Sequence, residues 1–172
     1  MNILRRWPFL DTPSAVDVAG ERIVIRAYQI VVWVSLSLDE TLPTDMLRLP
    51  AILDTGHNHN FSLRADQMTR WAGVHPDQCP KVGAILVNRL EVPLLAANLW
   101  IHRNRAGTAE LLRKPVRLPI PEGVSVFPSD SASSPRVPLL GLRGLVLNGW
   151  RLAIDATWIS LSNKSAKRSH AG

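Results

Sequence analysis

Two runs rich in β-branched and aromatic side chains, at residues 22–28 and 30–36, are followed by an apolar run at residues 47–53. Such runs read as strands. Connections this short join antiparallel neighbours and leave no length for the crossover helices of βαβ units, so the chain is constrained to a mostly β fold. The third run ends abruptly. Ala51-Ile52-Leu53 is followed by Asp54, Thr55 and Gly56, a carboxylate, a hydroxyl and a glycine.

The apolar residues before Asp54 read as a buried strand and Gly56 as a tight turn, which puts the carboxylate at a strand tip inside the protein. Burial raises the pKa of an unpaired carboxylate, and a second carboxylate close by pushes one of the two higher still. The pair then shares one proton and can activate a water molecule. Asp-Thr-Gly is also ordinary turn chemistry, so the tripeptide needs support from elsewhere. A second copy of the pattern, Phe9-Leu10-Asp11-Thr12-Pro13, fails because proline fixes φ and removes the amide hydrogen that the glycine would supply.

The rest of the chain divides into an arm over residues 1–20, one domain over 21–161 and a basic, solvated, disordered tail over 162–172. A chain of 172 residues, 46% of them hydrophobic, suffices for one well-buried domain. A short helix is expected over 63–72, capped by Ser62, braced by Asp66 and Arg70 at i, i+4, and stopped by Gly73. Residues 82–87 and 90–101 read as a hairpin around Asn88-Arg89, with Pro93 weakening its second strand. A basic segment follows with a short helical stretch at 108–113, then brief strands at 115–120 and 124–127, and a serine-rich loop at 128–135.

The support for Asp54 comes from the C-terminal end. Val137-Pro138-Leu139-Leu140-Gly141 is an apolar strand ending in glycine. Leu142, Leu145 and Val146 then share one helical face, Gly149 stops that helix, and residues 151–161 return as strand. Ala51 to Gly56, followed about eighty residues later by Leu139-Leu140-Gly141, a short helix and Leu152-Ala153-Ile154-Asp155, resembles the retropepsins, the single-domain aspartic proteases. The resemblance spans roughly residues 22–161.

It implies a closed, barrel-like antiparallel β domain with one or two short helices, two copies of which associate so that each contributes one Asp-Thr-Gly. Asp54 then resembles the catalytic aspartate, Thr55 the residue whose hydroxyl bonds across the dimer, and Gly56 the turn whose amide faces the carboxylate. The hairpin corresponds to the flap over substrate, with Gly83, Ala84 and Ile85 as its candidate contacts. The implied activity is a homodimeric aspartic endopeptidase acting on peptide or protein substrates without metal or organic cofactor. His57 departs from the small residue that usually follows the glycine, and an imidazole there can hydrogen-bond to the carboxylates, shift their pKa or block them. The alternative is therefore a catalytically silent dimer of the same fold, used as a binding module.

Other function classes have less behind them. His57 and His59 stand at i, i+2, with His75 and His102 elsewhere, but no third metal ligand is identifiable. The net charge of +6 is concentrated partly in the tail and in residues 103–117, without aromatic interleaving, so nucleic acid is not an expected partner. Cys79 is the single cysteine, which excludes an internal disulfide and fits a reducing compartment. No apolar run reaches membrane-spanning length, and a soluble, cytoplasmic protein is expected.

Overall fold

Two strands buried along most of their length build the centre of the molecule, β4 (Val31–Ser37) and β5 (Leu49–Asp54), which pair antiparallel. The computed structural model describes residues 1–163, so the basic tail lies outside them from residue 164 onward. After β5 come β6 (Phe61–Arg64), α1 (Ala65–Ala72), β7 (Lys81–Val87), β8 (Leu90–Leu95) and β9 (Asn98–Ile101). They are followed by β10 (Val116–Leu118), β11 (Val124–Phe127), β12 (Leu139–Gly141) and α2 (Leu142–Leu147). The described chain ends with the hairpin of β13 (Trp150–Asp155) and β14 (Trp158–Asn163).

The fold is mostly β, as the runs of β-branched residues require, but the large sheet is open. Its nine strands lie in the order β10-β9-β4-β5-β12-β6-β11-β8-β7, and no pairing joins the two ends, so the expected closed barrel is not formed. β10 explains this in part, since it is three residues long and flanked by Pro115 and Pro119, which leaves little free backbone for a closing partner. Two pairings are parallel, β5 with β12 and β6 with β11. Both join segments far apart in sequence.

The first twenty residues, read from the sequence as an arm, carry β1 (Asn2–Pro8) and β2 (Ser14–Val18). β1 pairs with β14 in a three-stranded sheet, and Ile3, Leu4 and Trp7 are buried in the main core. β2 pairs with β3 (Glu21–Ile25). Beneath the large sheet, Met68 and Trp71 of α1 pack with Phe61, Leu63 and Leu140.

α1 starts two residues later than Leu63, because Phe61 and Leu63 are strand residues with buried partners. Its first turn is capped by Gln67, whose Oε1 accepts from the Arg64 backbone N–H at 3.0 Å. Gly73, at φ 68, ends it in the left-handed conformation. The expected Asp66–Arg70 pair is replaced by two others. Arg64 takes Asp66 at 2.8 Å, and Arg70 turns to Glu21 on β3. The expected helix at 108–113 is absent, since Asn104 draws this segment into a loop by donating from Nδ2 to the carbonyls of Arg5, Arg105 and Thr108.

One polar pair is buried on β4. The Ser35 hydroxyl donates to the Leu47 carbonyl at 2.7 Å, so toward His102 it accepts, and His102 Nε2 donates to it at 2.9 Å. Burial, with a smaller push from the Arg48 charge, lowers the His102 pKa from 6.5 to about 4. Between those two values the unfolded chain binds more protons than the folded one, so this contribution to stability is complete above pH 6.5 and declines as pH falls. The loss expected by pH 4 is about 2–3 kcal/mol. Denaturant midpoints measured from pH 7 to 4.5 are expected to fall, and less so in His102→Gln, whose amide can still donate to Ser35. Equal slopes in the two proteins would refute this account.

Candidate active site at the Asp54 turn

β12 lies between β5 and β6, although β5 and β6 are consecutive in the chain. Leu139, Leu140 and Gly141 pair in parallel with Ile52, Leu53 and Asp54, while Leu139 and Leu140 pair antiparallel with Ser62 and Phe61. The loop over residues 55–60 must therefore pass across the end of β12. Hydrogen bonds fix that crossing: Gly141 N–H donates to the Asn60 carbonyl and Leu142 N–H to the His57 carbonyl, each at 3.0 Å.

This close approach is why position 141 is glycine. A Cβ built there would stand 1.9 Å from the His59 carbonyl oxygen and 2.6 Å from that of His57. Neither can be relieved by a side-chain rotation, because both are backbone atoms.

Asp54 is the last residue of β5, at the strand tip that the apolar run predicts. It is half-buried, short of the full burial expected, and Thr55 and Gly56 are exposed. Gly56 N–H donates to Asp54 Oδ1 at 2.8 Å, and His57 N–H closes the turn onto the Asp54 carbonyl at 3.2 Å. The carboxylate is thus oriented by its own turn.

The His57 ring is held from the side, with Nε2 2.7 Å from Ser62 Oγ on β6. Its ring centroid is 5.2 Å from that of His59, edge to face. Burial and the neighbouring His59 lower the His57 pKa, against a smaller opposing pull from Asp54. Burial and Arg143 lower that of His59, against Glu122. Both shifts favour the neutral imidazole, which limits the positive charge that His57 places beside Asp54.

Beside the turn is a pocket of about 300 Å³ lined by Gly56, His57, Ser62, Val87, Ser133 and Leu139, among others. A second, of about 210 Å³, shares Pro135 and Leu139 as walls and extends toward Arg26 and Gln29. The β7–β8 hairpin reaches the first pocket through Val87. Its tip is Asn88-Arg89, both at positive φ, and Asn88 Nδ2 lies 3.4 Å from Ser133 Oγ in the serine-rich loop. Gly83, Ala84 and Ile85 lie within β7, paired with β8, and line neither pocket.

Sequence reasoning missed Ser62 as the partner of His57, reading it as a helix cap, and missed Val87 and Ser133 as pocket walls. Ser62 is five residues from His57, a spacing with no local signature in an irregular loop. Among the described residues no group of three His, Cys, Asp or Glu side chains is arranged to hold a metal ion. His75 caps the turn at Pro76–Gln78, and His102 lies beside Ser35. No helix among the described residues is long and apolar enough to cross a membrane. Comparisons with known protein families, with characterised proteins and with solved structures found no match.

Proposed function

We propose that the chain is a retropepsin-like aspartic endopeptidase that works as a homodimer. The observation that carries this reading is β12 inserted between β5 and β6, which presents Asp54, Thr55 and Gly56 as a braced, solvent-facing turn at a sheet end. A turn built only to reverse the chain needs no such insertion. The side-on tether of His57 to Ser62 favours the enzyme over the silent dimer, because it gives the imidazole a partner other than the carboxylate.

One chain supplies one usable Asp-Thr-Gly, so the second carboxylate comes from a second copy. In this reading, a water between the two Asp54 side chains loses a proton to the ionised carboxylate and attacks the peptide carbonyl. The protonated partner hydrogen-bonds to the carbonyl oxygen as charge develops on it. The grooves that share Pro135 and Leu139 take the extended peptide, with the Asn88-Arg89 tip above it.

Surface chemistry supports a second copy. Leu142, directly after Gly141, is 41% exposed, and Val146 and Ile154 are more than half exposed. Ile154 is on β13, an edge strand of the three-stranded sheet. The test is sedimentation together with cleavage of unstructured peptides from acidic to neutral pH. A dimer whose cleavage is blocked by a pepstatin-like transition-state mimic is expected. Val146→Asp with Ile154→Asp is expected to yield a folded monomer without activity. A monomer that cleaves, or a dimer indifferent to the mimic, would overturn the proposal.

A further inference from the structure

At the opposite end of β5 from Asp54, the loop over residues 38–48 and the segment 102–115 enclose a pocket of about 770 Å³. That is more than twice the volume of the pocket beside Asp54, and within the range of about 300–1,000 Å³ typical of small-molecule sites. We propose that this pocket binds a small organic anion, a carboxylate or phosphate carried on an apolar or aromatic body.

Three cations, Arg48, Arg113 and Lys114, line it. Among the described residues none of them forms an ion pair with a carboxylate, and Glu40 is the one acid on the pocket wall. Converging like charges raise the local potential, and an anion relieves it. Leu42, Pro43, Met46 and Pro115 supply apolar wall, which bare phosphate would leave unused.

Two polar atoms on residues of this wall are buried without a partner, Trp100 Nε1 and His102 Nδ1. Indole N–H is a donor only, and that of Trp100 lies beneath the wall surface. His102 is 3% exposed, and its Nε2–H is committed to Ser35, which leaves Nδ1 as an acceptor in the neutral ring. Three unpaired cations beside an apolar wall suit a ligand with an anionic group at one end of an apolar body.

The experiment uses the full chain, titrated at low salt with 1-naphthoate and, separately, adenosine monophosphate. Neutral 1-naphthylmethanol and inorganic phosphate are the controls, and binding is read by calorimetry and by the His102 ring resonances. Saturable binding of one organic anion per chain is expected, weaker by about tenfold or more for the neutral alcohol and for the Arg113→Ala/Lys114→Ala protein. Those two side chains are exposed, so the double variant is expected to fold as the wild type does. Whether naphthoate or the nucleotide binds more tightly separates carboxylate from phosphate recognition. Absence of binding by both, equal binding of the neutral alcohol, or an unaffected double variant would overturn the assignment. So would single-stranded RNA binding without saturation by either anion, since the cations would then serve a nucleic-acid face.

Discussion

Asp54→Asn is expected to abolish peptide cleavage while leaving the dimer and the fold intact. The Asp54 side chain is half-buried and accepts a bond from Gly56 N–H through Oδ1, a bond that the amide oxygen of asparagine can also accept. The turn is therefore conserved in shape, and what is lost is proton transfer. General acid–base groups contribute roughly 10²–10⁴-fold each, and in a homodimer one substitution removes both the acid and the base, so a loss of about 10⁴-fold or more is expected. Mixing gives a sharper test. If equal amounts of the two proteins exchange subunits, roughly three quarters of the dimers carry at least one asparagine, and activity should fall well below the half that dilution alone predicts. Activity of the variant equal to the wild type, or mixed activity of one half after complete exchange, would exclude a shared site.

Gly141→Ala is expected to be the most damaging single methyl in the described chain. Its φ of −88° is open to any residue, so the penalty comes from space and not from backbone preference. The added carbon meets two backbone carbonyls, at 1.9 and 2.6 Å, and the His57 ring at 2.9 Å. Relief requires β12 to separate from the 57–60 loop, which breaks the bonds from Gly141 to Asn60 and from Leu142 to His57. A loss of about 3 kcal/mol or more is expected in denaturant unfolding. Gly107→Ala is the comparison: it sits at φ 74° with open space around it and should cost only about 1 kcal/mol of backbone strain. If the two variants unfold alike, β12 is not seated as described.

The difference between these two glycines also explains how much could be read from the chain alone. Local features were legible where one segment carries its own reason. The apolar residues before Asp54 make β5, Gly73 ends α1, and Leu142 with Leu145 marks α2. Gly141 gave no local clue to what crowds it, because those atoms belong to His57 and His59, far away in sequence, and only the likeness of Leu139-Leu140-Gly141 to the retropepsin pattern linked it to the Asp54 turn. β12 is three residues long and paired in parallel, so neither periodicity nor turn length could place it between β5 and β6. β1 escaped for another reason. Register shifts at Asn2/Leu4 and Leu4/Trp7, with Arg6 at positive φ, break the alternation by which a strand is recognised. Asp66 and Arg70 have the right spacing to pair, yet each finds a different partner, from the flanking Arg64 and from β3.

The insertion of β12 carries a consequence for biosynthesis. The segment that braces the Asp54 turn is translated about eighty residues after it, so a nascent chain on the ribosome holds β5 and β6 long before the strand between them exists. Until β12 has left the exit tunnel, the loop after the turn lacks the bonds from Gly141 to Asn60 and from Leu142 to His57 that hold it across the sheet end. Completion of the Asp54 turn is thus scheduled late, with the emergence of roughly the last fifth of the polypeptide.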